Sequence, residues 1–136
     1  MNKLKNIIIR KCKKYIDERG EIYISEINKI LKMKIERIFI VYGKKNKIRG
    51  KHAHKFCNQV IFLINGKIQI IISDGSKKKI FNLSNIGEYI LIPCEFWAEQ
   101  KFLTENSKIM VCCDRKYEES DYLYSLSDLK EFKKNG

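Results

Sequence analysis

Turn signals recur along this chain at roughly ten-residue spacing, and the runs between them are short and rich in β-branched and aromatic residues. That rhythm favours a sandwich or a barrel built from short strands. Candidate strands are Asn6–Arg10, Gly20–Ser25, Arg37–Tyr42, Gln59–Ile64, Lys67–Ser73, Lys78–Leu83, Tyr89–Ile92 and Lys108–Cys113. Turns fall at Asp17-Glu18-Arg19-Gly20, Gly43–Gly50, Asn65-Gly66, Asp74-Gly75 and Asn85-Ile86-Gly87. Asn-Gly and Asp-Gly supply the positive φ angles of tight hairpins, so Asn65-Gly66 reads as the clearest hairpin in the chain. Pro93, the only proline, ends the strand before Glu95-Phe96-Trp97. Ser25–Lys34 has mixed helical character, and Ser127–Phe132 reads as a capped helical turn with Ser127 at the N-cap. The expected fold is all-β with a short C-terminal helix.

With 136 residues, 44% of them hydrophobic, the chain is expected to form one domain, 1–136, with a core of its own. No apolar run approaches the roughly 18 residues of a membrane-spanning helix. The patch Ile7-Ile8-Ile9 is too short for a signal-peptide core, so the expected location is cytoplasmic, with no membrane partner. Five cysteines (Cys12, Cys57, Cys94, Cys112, Cys113) form no CxxC pair and read as reduced, mostly buried thiols. The formal charge of +12 resembles that of a nucleic-acid binder, but the lysines are scattered rather than gathered on one helix or arm. Nucleic acid is therefore not expected as a partner, while a small phosphorylated substrate suits the field.

Both histidines of the chain fall in one pentapeptide, Lys51-His52-Ala53-His54-Lys55, just after Arg49-Gly50. If strand geometry covers it, His52 and His54 project to one face. Two imidazoles in a positive setting suit either a metal or acid/base chemistry on an anionic substrate. Arg49 and Lys55 are candidates for a diphosphate, with Arg37 and Arg19 as weaker ones. Gln59 has the strand parity to share the histidine face, and Trp97 is a candidate pocket wall.

Arg49-Gly50-Lys51-His52-Ala53-His54-Lys55, Gln59 and Asn65-Gly66 together resemble the first motif region of the cupins. Metal-binding cupins place a glutamate a few residues after the HxH pair and a third histidine on a later strand. Here Cys57-Asn58-Gln59 has no carboxylate and Pro93–Ala98 no histidine, so a three-histidine site is excluded. A two-histidine site completed by Glu95 or Glu99 stays open. The match narrows with Asp17-Glu18-Arg19-Gly20, Arg37–Tyr42, Pro93 with Trp97, and Tyr117-Glu118-Glu119-Ser120-Asp121-Tyr122. In that order they resemble the nucleotide-sugar 3,4-ketoisomerases acting on dTDP-4-keto-6-deoxyglucose.

The resemblance implies a cupin double-stranded β-helix, a jelly-roll barrel, forming a homodimer with exchanged strands and needing no metal or organic cofactor. It implies tautomerisation of a dTDP-linked 4-keto-6-deoxy sugar to its 3-keto isomer, which feeds the making of 3-amino-3,6-dideoxy sugars for surface glycans such as O-antigen. A proton beside the ketone must be removed and protons redelivered, work that two imidazoles can divide. His52 is then the base at carbon 3 and His54 the proton shuttle, or the reverse, with Tyr42 or a neighbouring phenol assisting. Family members often carry a polar residue where this chain has Ala98, and Asp-Tyr-Ile-Arg where it has Asp121-Tyr122-Leu123-Tyr124. The Asp-x-Arg-Gly form at Arg19 leans toward the galacto product. The competing readings are a metal-dependent small-molecule cupin enzyme and a non-catalytic sugar-nucleotide binding module.

Overall fold

The computed structural model describes residues 2–135, the side chain of Ile30 excepted, so Met1 and Gly136 at the ends of the expected domain lie outside it. In chain order the strands are β1 (Ile9–Lys11), β2 (Lys13–Asp17), β3 (Gly20–Ile24), β4 (Arg37–Gly43), β5 (Ile48–His54) and β6 (Gln59–Asn65). They continue with β7 (Ile68–Ser73), β8 (Lys78–Leu83), β9 (Glu88–Ile92), β10 (Trp97–Phe102), β11 (Ser107–Cys113) and β12 (Tyr122–Leu123). Two helices, α1 (Ile27–Leu31) and α2 (Leu126–Asn135), flank them. The strands form two five-stranded antiparallel sheets, β1-β9-β6-β11-β4 and β12-β5-β10-β7-β8, while β2 and β3 pair only with each other. The two large sheets face one another as a jelly roll without hydrogen-bonded closure between them.

Alternation along the strands divides the apolar residues among three layers. Ile61, Leu63, Ile70, Ile72, Ile109 and Val111 point between the sheets and form the main core. Val60, Phe62, Tyr89 and Cys112 point to the opposite side of the first sheet, where Ile27, Leu31 and Met33 cover them. Both faces of β6 are thus buried, which explains its unbroken apolar sequence. On the outer side of the second sheet, Ala53, Trp97 and Leu123 pack under Leu129 and Phe132 of α2. That helix is capped by Ser125, whose Oγ accepts the Asp128 N–H at 3.0 Å, and not by Ser127.

The Asn65-Gly66 turn is not a hairpin. β6 ladders with β9 and β11, and β7 with β10 and β8, so this turn hands the chain from one sheet to the other. Gly66 is required by close approach: with φ +79°, a Cβ there would lie 2.5 Å from Thr104 Oγ1 and 2.9 Å from Ser107 Cα. Hairpins do form at Asp17–Gly20, joining β2 and β3, and at Asp74-Gly75, joining β7 and β8, where Asp74 Oδ1 accepts the N–H groups of Ser76 and Lys77. β2, β5, β10 and β12 escape the sequence pattern, and the expected Gly43–Gly50 turn is cut short because β5 already begins at Ile48. β2 is exposed along its length, and β10 interleaves Glu99 and Lys101 with buried residues. No described helix is long and apolar enough to cross a membrane.

Candidate active site

β5 carries both histidines through an irregular stretch. Its partner β10 pairs Ala98 with His52 and Glu99 with Gly50, so Lys51 is an extra, unpaired residue. Gly50 has φ +89° and Lys51 φ 56°, and a Cβ on Gly50 would stand 2.9 Å from the Ala98 carbonyl oxygen. This bulge turns the Gly50 carbonyl toward the side chain two residues on, where it accepts from His52 Nδ1 at 3.0 Å. A carbonyl can only accept, so Nδ1 holds the hydrogen and Nε2 is the basic nitrogen of the neutral ring.

His54 is fixed in the same sense by a different group. Its Nδ1 donates to Asp121 Oδ2 at 2.7 Å, and the other carboxylate oxygen accepts the Phe56 N–H at 2.7 Å. Both residues are buried, and His54 Nε2 is buried without a partner among the described residues. The two imidazoles meet edge-on with centroids 5.0 Å apart. Tyr122 packs against both, at 5.1 Å from His52 and 4.4 Å from His54.

Burial dominates the electrostatics. It pushes the His52 pKa down to about 4, helped by the neighbouring His54. Burial also lowers His54, although Asp121 opposes it through the hydrogen bond and its charge. Both rings are therefore neutral near pH 7, each tied at Nδ1 and each with a free lone pair on Nε2. Behind them, Cys113 Sγ accepts from Gln59 Nε2 and from an Arg37 terminal nitrogen, both at 3.5 Å. Hydrogen bonding from Cys57 and these two groups holds the Cys113 thiol down to about 6 against its burial.

A cavity of about 720 Å³ opens between the sheets at this point, within the range of small-ligand sites. His52, Gln59, Gln100 and Tyr122 line its polar side, Ile61, Ile109 and Val111 its apolar side, and Arg49 and Tyr42 also border it. His54 sits behind His52 and Tyr122, outside the lining.

Of the residues expected from sequence, His52, Arg49, Gln59 and Tyr42 come together at this cavity. Tyr42 is 72% exposed, with the Lys108 ammonium over its ring, and the phenol touching the histidines is Tyr122. Besides His54, four of the expected residues lie outside this lining. Trp97 pairs with Ala53, which puts it on the outer face under α2, while Ala98 faces inward opposite His52. Lys55 follows the last residue of β5 and lies over the Phe132 ring instead of the cavity. Arg19 stands at the tip of the β2–β3 hairpin, held by Asp17, and does not reach the cavity of its own chain. Arg37 also lies outside the lining, between the rings of Phe39 and Tyr117.

Asp121 and Gln100 were not singled out as site residues by sequence. Asp121 is separated from His54 by 67 positions, and the chain brings them together only where β12 ladders on β5 and Lys55 and Phe56 donate to Asp121. Among the described residues neither Glu95 nor Glu99 clusters with the two histidines, and Glu99 instead accepts from Trp97 Nε1 on the outer face. The one trio of closely spaced donors among the described residues is His54, Cys57 and Asp121, within 4.8 Å of one another. Two of these three are already bonded to each other.

The sequence model of the family described as FdtA: WxcM-like, C-terminal, matches residues 5–134. A TDP-4-oxo-6-deoxy-alpha-D-glucose-3,4-oxoisomerase of Aneurinibacillus thermoaerophilus is 29% identical over 121 residues, covering 88% of this chain and 87% of its own. Among solved structures, QdtA, a sugar 3,4-ketoisomerase of Thermoanaerobacterium thermosaccharolyticum in complex with TDP, superposes with a TM-score of 0.87 at 27% identity, covering 98% of both chains. WlaRA, a TDP-fucose-3,4-ketoisomerase of Campylobacter jejuni, superposes with a TM-score of 0.84 at 25% identity, covering 96% of this chain and 97% of its own. The jelly roll and the match along nearly the whole length make the relationship plain: the chain belongs to the FdtA family (WxcM-like, C-terminal).

Proposed function

We infer that this chain is a TDP-sugar 3,4-ketoisomerase, converting TDP-4-keto-6-deoxyglucose to a 3-keto-6-deoxyhexose by proton transfer through an enediol. The observation that carries the reading is the pair of neutral imidazoles 5.0 Å apart beside a cavity of substrate size, each tied at Nδ1 and so offering Nε2. The names of the relatives support the same substrate and reaction.

His52 borders the cavity and is the base: its Nε2 takes the hydrogen from carbon 3, and the electron pair moves to form the carbon 3–carbon 4 double bond. A proton reaches the oxygen on carbon 4, giving the enediol. The oxygen on carbon 3 then gives up its proton while carbon 4 receives one, leaving a ketone at carbon 3. His54 exchanges the oxygen-bound protons, with Asp121 holding its tautomer and stabilising the charged ring while it carries a proton. His54 lies outside the lining, and Tyr122, which borders the cavity and packs its ring against both imidazoles, is the candidate to relay protons to it once substrate is bound. Arg49 supplies charge for the diphosphate, and Gln59 and Gln100 offer buried amides to sugar hydroxyls. The lean toward the galacto product finds no support, because Arg19 stands away from the cavity of its own chain.

The family's exchanged-strand homodimer suits the exposed apolar surface. β4 is an edge strand with Ile38, Ile40 and Tyr42 exposed. The unsupported β2–β3 hairpin exposes Tyr15, Ile16 and Ile22. A two-stranded hairpin alone is marginal in water, and an apolar edge invites pairing. A second copy satisfies both needs.

The test is to incubate purified protein with TDP-4-keto-6-deoxyglucose and follow the sugar by NMR, with a 3-aminotransferase present to trap the product. A 3-amino sugar is expected, and a 4-keto sugar unchanged beyond the uncatalysed background contradicts the reading.

A further inference from the structure

A second cavity, of about 560 Å³, shares no residue with the histidine site. Three parts of the chain meet there: the segment around Lys3 and Lys5, the β7–β8 hairpin with Lys77, Lys78 and Lys79, and Lys133 of α2. Leu4 and Phe96 provide an apolar wall. Ladder pairing runs from His52 to Ala98, Ile72 and then Lys79, so the two sites are three strand spacings apart, about 14 Å.

Six lysines thus face one carboxylate, that of Asp74, which already accepts two N–H groups of its own hairpin. Among the described residues none of the six takes part in an ion pair. Lys133 donates to the Asp74 carbonyl at 2.8 Å and Lys79 to the Ile7 carbonyl at 3.3 Å, contacts that anchor the cations without neutralising them. Converging like charges repel, and a cavity with walls of low dielectric concentrates their field. An anion of several charges relieves that repulsion, and flexible ammonium groups select charge more than shape.

We propose that this lysine-ringed cavity is a second ligand site, distinct from the histidine cavity, for a small molecule bearing a chain of phosphates. Such a chain fits six separate point charges better than a single carboxylate does. The Leu4–Phe96 wall leaves room for an attached apolar or aromatic group, so both an inorganic polyphosphate and a nucleotide share the required chemistry.

The test is calorimetric titration of the full chain with inorganic tripolyphosphate, repeated with Arg49→Ala, which removes the charge assigned to the diphosphate at the histidine cavity and is expected to leave binding at the lysine cavity unchanged. One equivalent is expected to bind. The double substitution Lys77→Glu/Lys78→Glu, at exposed positions of the hairpin, should weaken binding by at least about tenfold. The same change of charge on and beside α1, Lys29→Glu/Lys32→Glu, should leave binding intact, and both variants should keep the kcat/KM of the wild type for isomerisation. A second titration with ATP separates the ligand sources: tighter binding than tripolyphosphate assigns a nucleotide, and equal binding assigns the phosphate chain. No binding to the wild type, or equal weakening by both double substitutions, overturns the proposal. The comparison of variants needs no turnover, so it stands apart from the isomerase reading.

Discussion

Replacing Asp121 with asparagine should stop proton shuttling while leaving the cavity intact. The carboxylate accepts two hydrogen bonds of 2.7 Å, from His54 Nδ1 and from the Phe56 N–H. An amide has one oxygen, and the backbone N–H can only donate, so that oxygen must turn to Phe56. The amide NH₂ then faces His54 Nδ1, which has to become the acceptor. The hydrogen moves to Nε2, and the ring loses the lone pair it needs. A positioned acid or base contributes about 10²–10⁴-fold, so kcat should fall by that factor, roughly 3–5 kcal/mol of barrier. KM should change little, since Asp121 does not border the cavity. Loss of a charge-assisted bond in a buried place costs about 1.5–3 kcal/mol of stability. Steady-state kinetics gives the kcat effect, and ¹⁵N NMR of the imidazole gives the tautomer. A folded Asp121→Asn protein with kcat within about threefold of wild type and Nδ1 still carrying hydrogen would refute the reasoning.

Other outcomes follow from the same geometry. Burial holds the folded His52 pKa down to about 4, against 6.5 for an ordinary imidazole, so the unfolded chain takes up a proton that the folded one refuses as pH falls between those values. Wild type should therefore lose about 3 kcal/mol more stability than His52→Asn between pH 7 and pH 4, read by urea unfolding; parallel losses would contradict the burial of this ring. Gly50→Ala should cost about 1–3 kcal/mol and lower kcat, because a side chain at φ +89° meets the Ala98 carbonyl and disturbs the acceptor of His52. Equal kcat and melting temperature in Gly50→Ala would show that the bulge has no such role. Ile40→Glu on the β4 edge should shift the protein to monomer in light scattering, since each buried isoleucine is worth about 1.5–3 kcal/mol. An unchanged mass would place the dimer contact elsewhere.

Which parts of this were legible in the sequence depended on whether the deciding interaction was local. Gln59–Ile64 and Lys108–Cys113 are apolar enough to declare themselves as strands, and HxH spacing on a strand puts two rings on one side. Asn65-Gly66 misled because a turn residue reveals backbone shape and not ladder partners, which here belong to different sheets. Whether Trp97 walls the cavity or packs with Leu123 and Leu129 is decided by its pairing with Ala53, which is invisible without β5. β10 is hidden in the sequence because its half-buried positions carry charge, at Glu99 and Lys101, while the polar Gln100 is buried at the cavity. Tyr122 and Asp121 lay within a motif, yet their contact with the histidines exists only once β12 lies against β5.

The central claim is that His52 removes the hydrogen at carbon 3. Deuterium uptake from D₂O into TDP-4-keto-6-deoxyglucose, followed by NMR with wild type and His52→Asn, measures it most directly. The account expects enzyme-dependent exchange at carbon 3 and a loss of about 10²–10⁴-fold in the variant. Exchange at the same rate in His52→Asn, or none above background with wild type, would contradict it.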